Sequence, residues 1–190
     1  MRALLLALLV AEGAPFPPEH PPTYVGTVVR IVDGDTLHVR VPPGPGMRYP
    51  RKVKVRLYGI DAPEAKQTFG AASARALERI AGGREVEVHK ITRDDFGRLV
   101  AILRVDGLDV SSAMVRGGYA WAFRRYLGQR RGDQSYCVLE YEARAAQAGL
   151  WAPKHRNRTA PWVYRHDGEG RHRIDAERSV RDCIASFEGR

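Results

Sequence analysis

The chain has 190 residues, of which 44% are apolar and 28% charged, and its formal charge is +9. That leaves room for one filled core plus an extension, and it excludes wholesale disorder, collagen and coiled coil. The charge points to a polyanionic partner, nucleic acid first and an anionic membrane surface second. Arginine outnumbers lysine 26 to 5, which suits bidentate phosphate binding, although base composition alone can produce the same skew.

Residues 1–13 place Arg2 before nine apolar residues, Ala3 to Ala11. A helix of that length spans about 14 Å, too short to cross a bilayer. It fits a signal peptide cut before Ala14, with small residues at Ala11 and Gly13. The expected location is therefore secreted or periplasmic, or cytoplasmic if Met1 is retained. The competing reading is an apolar helix packed on the domain. Residues 14–23 carry Pro15, Pro17, Pro18, Pro21 and Pro22 and read as a stiff spacer.

Tyr24 to Val32 alternates and reads as a strand. Asp33-Gly34 signals a tight hairpin, with Asp35 to Val41 returning. After a loop from Pro42 to Pro50, Lys52 to Tyr58 turns Val53, Val55 and Leu57 to one face and Lys54 and Arg56 to the other. Thr68 to Ala81 changes to helical spacing and stops at Gly82-Gly83. Arg84 to His89 and Leu99 to Val105 are the fourth and fifth strands. Val110 to Arg116 reads as a short helix capped by Asp109. A last helix, capped by Asp133 or Ser135, runs to Ala148. Five short strands with a helix after the third predict an α+β, mainly β, protein: a closed five-stranded barrel of the OB type with three helices, over residues 24–151. Residues 152–190 form a basic extension with a candidate amphipathic helix from Ile174 to Phe187. It reads as a packed or frayed tail, or as an additional nucleic-acid contact.

The sequence carries no motif of a zinc site. The two cysteines, Cys137 and Cys183, form no CxxC pair, and the six histidines show no ligand spacing. The cysteines become candidates to pair only in an oxidising compartment.

The informative polar residues are carboxylates and arginines. Asp35 opens the second strand, and Asp61 ends the third in RLYGIDAPE. If those strands pair, the two carboxylates meet at one end of the barrel, where they repel unless a cation lies between them. Hard oxygen donors select calcium or magnesium. Arg56 and Arg98 make sense beside such a cation if the substrate is a phosphodiester, whose transition state gains charge on its equatorial oxygens. Glu64 would then orient or deprotonate water. Taken singly, each residue has an ordinary explanation: a turn for Asp35, a strand end for Asp61, a solvated surface for either arginine.

Three segments carry a resemblance. IVDGDTL at 31–37, VRLYGIDAPE at 55–64 and DDFGR at 94–98 are similar in order and rough spacing to the motifs of the staphylococcal nuclease (thermonuclease) family. AMVRGGYAWAFRRY at 113–126 and GLW at 149–151 resemble its carboxy-terminal part, and APW at 160–162 looks like a tail common in bacterial relatives. The resemblance implies calcium-dependent, sugar-nonspecific hydrolysis of DNA and RNA leaving 3′-phosphate ends. By position it implies calcium carboxylates at Asp35 and Asp61, a backbone carbonyl ligand at Ala62, a general base at Glu64, and phosphate-clamping arginines at Arg56 and Arg98. Lys66 and Tyr126 would meet the nucleotide, with Asp33, Thr36 and Asp94 in support. Asp95-Phe96 replaces a lysine and a tyrosine of the best-known member, and the loop after Glu64 is shorter. Both departures weaken the expected mononucleotide pocket. A monomer with no stable membrane span is expected. The alternative from a different class is a catalytically inactive barrel that only binds nucleic acid or protein. A barrel that meets a membrane is a third reading, and it leaves Asp35, Asp61 and Glu64 unexplained.

Overall fold

The computed structural model describes residues 22–46, 48–123, 127, 132–155 and 158–165. The expected leader, most of the spacer, Tyr126, Cys183 and the helix expected over 174–187 lie outside the described residues.

Eight strands are present among them: β1 Tyr24–Ile31, β2 Thr36–Val41, β3 Arg51–Leu57, β4 Ile60–Asp61, β5 Glu85–Arg93, β6 Leu99–Val105, β7 Leu108–Asp109 and β8 Trp121–Ala122. The helices are α1 Gly70–Ala81, α2 Val110–Arg116, α3 Gln134–Ala145 and α4 Pro161–Arg165. The main sheet runs β3-β2-β1-β5-β6-β7. A parallel seam of Val55 on Leu99 and Leu57 on Ala101 joins β3 to β6 and closes five strands into a barrel. The expected OB barrel is therefore present, with α4 in addition to the three expected helices.

Strand alternation fills the interior. Leu37, Val39 and Val41 from β2, Val55 and Leu57 from β3, Val86 and Val88 from β5, and Leu99, Ala101 and Leu103 from β6 are all buried. Each buried Val or Leu contributes about 1.5–3 kcal/mol by leaving water. Ala76, Leu77 and Ala81 turn one face of α1 onto this core. As expected, Asp109 caps α2, its carboxylate accepting the Ser112 N–H at 3.1 Å.

Three local expectations change. The hairpin is not a two-residue turn: residues 32–35 separate β1 from β2, and the Asp33 carboxylate accepts the Asp35 N–H at 3.0 Å. A side chain mimicking a backbone turn lengthens the connection and lifts Asp35 out of the strand. Gly34 sits there because a Cβ would come within 1.9 Å of Ser73 Oγ. Second, Asp133 precedes α3 but makes no cap bond, because its carboxylate accepts the Tyr58 hydroxyl at 2.8 Å. Third, α3 ends at Ala145, and Gln147 takes a left-handed φ of 52°.

A second apolar cluster unites Trp121, Ala143, Leu150, Trp151, Ala160 and Val163. Trp121 meets Trp151 edge-on at 5.5 Å, and Trp162 packs on Phe123 at 5.6 Å. This cluster fastens α4 to β8 and α3. Cys137 is buried on α3 and disulfide-bonded.

Candidate active site

Two strands and a turn gather the acidic residues. β2 pairs with β3 so that Thr36 faces Arg56. Asp35, at the end of the turn, thereby reaches across to the polar face of β3. The chain reverses at Gly59, whose φ of 76° is a glycine conformation. It then enters β4, which ends in Asp61. Pairing of Asp61 with Trp121 of β8 fixes that end.

Asp35 is 3% exposed and Asp61 0%. Buried carboxylates need charged or hydrogen-bonding partners. Arg56 supplies them, donating to Asp35 Oδ1 and Asp61 Oδ1, each at 2.7 Å. Asp35 also accepts from Thr36 Oγ1 at 2.9 Å and from the Ala62 N–H at 3.0 Å. Thr36 and Ala62 are thus in contact with Asp35, the second through its N–H and not through the carbonyl expected to bind a cation, and the Asp33 carboxylate accepts the Asp35 N–H.

Glu64 stands beside this pair and is partly exposed. Its main chain is held by Gln67, whose Oε1 accepts the Glu64 N–H at 3.1 Å and whose N–H donates to the Glu64 carbonyl at 2.8 Å. Gln67 Nε2 donates onward to the Thr159 carbonyl at 2.5 Å. The loop carrying Glu64 is therefore tied to the C-terminal segment. Lys66 lies exposed on the same loop.

Arg98 occupies a neighbouring position. Its Nε donates to Asp94 Oδ2 at 2.6 Å, and its N–H to Asp94 Oδ1 at 2.9 Å. Its guanidinium lies 5.3 Å from the centre of the exposed Phe96 ring. No direct hydrogen bond among the described residues joins Arg98 to Asp35, Asp61 or Glu64.

One arginine has no precedent in the sequence reading. Arg165, at the end of α4, donates to Asp61 Oδ2 at 2.7 Å, to Asp61 Oδ1 at 3.2 Å and to Glu64 Oε1 at 2.5 Å. The sequence holds no local signal for this, since its partners lie about a hundred residues away. The only hint was the arginine content of the tail.

The electrostatics follow from burial and crowding. Burial, and then the neighbouring Asp35 charge, push the Asp61 carboxyl above its ordinary range, with Arg165 and Arg56 opposing. Burial and Asp35 likewise push Asp33 up to about 6. Desolvation acts against the charge on Arg56, but Asp35 and Asp61 outweigh it and hold its pKa above the ordinary value. Arg165 shows the same balance, with Asp61 and Glu64 as its partners. At Asp94, partial burial raises the carboxyl, but the hydrogen bonds and charge of Arg98 hold it below its ordinary range.

The donor set suits a hard cation. Asp35 and Asp61 offer buried carboxylate oxygens whose ion-pair partners among the described residues are arginines. Among the described residues no group of three or more His, Cys, Asp or Glu side chains could hold a metal. A cation here would complete its shell with backbone and water oxygens, as calcium and magnesium do. A cleft of about 500 Å³ flanks the Gln67 loop, lined by Phe69, Trp121, Lys154, His155 and Arg158 among others.

These features define a closed OB barrel with an acid–arginine centre at the ends of β2, β3 and β4. Residues 54–153 match the family model described as staphylococcal nuclease homologue. A protein of Escherichia coli O157:H7 called uncharacterized endonuclease is 37% identical over 142 residues, covering 74% of this chain and 84% of its own. The micrococcal nuclease of Shigella flexneri is 36% identical over 149 residues, 74% of this chain and 79% of its own. Protein ParB of Escherichia coli is 37% identical over 155 residues, 77% of this chain and 81% of its own. The chain belongs to the staphylococcal nuclease family.

Proposed function

We propose that this protein is a calcium-dependent, sugar-nonspecific nuclease that hydrolyses phosphodiester bonds of DNA and RNA and leaves 3′-phosphate ends. Family membership and the nuclease names of its relatives support the hydrolase class. The observation that carries the finer reading is the burial of Asp35 and Asp61 on either side of Arg56, with Glu64 at their edge. A mere binding module has no need of two buried acids and a glutamate beside them.

In this reading Asp35, Asp61 and the Ala62 carbonyl hold the cation. When bound, calcium supplies charge neutralisation and polarisation at the phosphate. Glu64 takes the proton from the attacking water, and its partial exposure leaves it open to solvent and substrate. Arg56 and Arg98 bind the phosphate oxygens on which charge develops. Asp94 keeps the Arg98 fork in one orientation, Thr36 and Asp33 fix Asp35, and Lys66 and Tyr126 contact the nucleotide. The cleft beside the Gln67 loop offers aromatic faces and cations, the combination that single-stranded nucleic acid uses.

The test is cleavage of single-stranded DNA and RNA by the full chain, with calcium and with excess chelator. Cleavage that requires calcium is expected. Undiminished cleavage in chelator overturns the metal assignment. Binding without cleavage in calcium gives the inactive binding module instead.

A further inference from the structure

The Arg165 guanidinium occupies the oxygens that a cation would need. It donates to both carboxylate oxygens of Asp61, at 2.7 and 3.2 Å, and to Glu64 Oε1 at 2.5 Å. Asp61 is 0% exposed, so with Arg165 in place these oxygens are closed to solvent. Arg56 takes the face toward Asp35, and Arg165 takes the remaining one. The contact is held by more than its own hydrogen bonds. Trp162 lies between Phe123 and Trp121, Val163 and Ala160 are buried, and Gln67 fastens Thr159 to the loop of Glu64. The backbone of α4 therefore stays in place while its last side chain, 36% exposed, has solvent into which to swing.

We propose that Arg165 is a third arginine of the site, a resident counter-cation delivered by the C-terminal segment, which a divalent metal displaces from Asp61 and Glu64. The inference rests on reading Asp35 and Asp61 as cation ligands. Arg165 holds Asp61 Oδ2 and Glu64 Oε1, and a metal ion drawn to those oxygens competes with the guanidinium for the same lone pairs, so its binding releases Arg165. Before loading, Arg165 keeps a buried carboxylate and the partly exposed Glu64 from facing each other unscreened. After loading, it remains tethered beside the site with its fork free for an anion. Coulomb's law fixes the sign: removing Arg165 tightens metal binding. A residue that merely held Asp61 and Glu64 in position would have the opposite effect.

The experiment is calorimetric titration of the full-length protein with calcium alone, at neutral pH and low ionic strength, for parent, Arg165→Met and Arg165→Lys. Loss of one partly exposed, charge-assisted pair predicts a calcium Kd lower by roughly tenfold in Arg165→Met. Arg165→Lys keeps the charge without the fork and should lie between the two. Thermal melts in chelator check that the variants fold, and the gain in Tm on adding calcium should be larger in Arg165→Met than in the parent. An unchanged or weaker calcium affinity in Arg165→Met overturns the inference, while calcium binding by the parent leaves the cation site standing. If neither protein binds calcium, both are overturned. If only the variant binds, Arg165 blocks the site and calcium does not displace it, which overturns the inference.

Discussion

Replacing Arg56 by Met tests whether one guanidinium holds the acidic pair together. The change keeps an unbranched apolar stem and deletes the fork that bridges Asp35 and Asp61 at 2.7 Å on each side. Breaking a buried ion pair by removing one partner costs about 3–5 kcal/mol, because the other charge stays buried. Here the cost should fall at the lower end. Asp61 retains Arg165, and Asp35 retains Thr36 Oγ1 and the Ala62 N–H. About 3 kcal/mol corresponds to a fall in Tm of roughly 6–12 °C for a chain of this length. Calcium should reverse much of it. At a concentration about a hundredfold above Kd, a ligand returns about 2.7 kcal/mol. The variant should gain more than the parent, because its Asp35 and Asp61 oxygens on that side are no longer taken. Melts of both proteins in chelator and in calcium measure this directly. A variant that melts with the parent in chelator, or gains less from calcium, refutes the account of Arg56 as the bridge.

Two further predictions follow from single side chains. Glu64→Gln should lower kcat by roughly 10²- to 10⁴-fold, with nucleic-acid affinity little changed and still salt-sensitive; parent-like turnover measured under single-turnover conditions removes Glu64 from the role of base. Asp94→Asn should destabilise the protein near neutral pH by about 1.5–3 kcal/mol, the worth of a hydrogen bond to a charged group. Because Arg98 holds the Asp94 carboxyl below its unfolded value, that stabilisation is full above about pH 4 and is lost as pH falls further. The gap between parent and variant Tm should therefore close in acid, and a gap that widens there shows the sign to be wrong.

The barrel was legible because its strands alternate cleanly. Val53, Val55 and Leu57 against Lys54 and Arg56 is a period of two, and Ala76, Leu77 and Ile80 is a helical one. The acids were legible because short motifs carry them, while the β2–β3 pairing that brings them together was only a condition in the sequence, since the loop from Pro42 to Pro50 carries no hairpin signal. The length of the turn is not legible in the sequence, because the Asp33 side chain competes with backbone hydrogen bonding, and composition cannot weigh that competition. Asp133 sat at a helix start and suggested a cap, yet Tyr58, distant in sequence, claims its carboxylate. Arg165 illustrates the general limit. Its charge is visible in the chain, but its role depends on an aromatic cluster that anchors α4, and no periodicity encodes that contact.

The parallel seam between β3 and β6 has a consequence for the order in which the molecule assembles. β1, β2 and β3 pair through short connections, so Arg56 can find Asp35 early. The seam joins Val55 to Leu99 and can form only after α1 and β5 have been laid down between them. Such long-range closure carries the entropy of a large loop and sets the pace of folding in high-contact-order barrels. Arg98, one residue before that seam, reaches its place only when the barrel shuts, and β8, which anchors Asp61, comes later still. The Asp35–Arg56 half of the site thus rests on contacts local in sequence, whereas its other elements depend on contacts that the closed barrel alone provides.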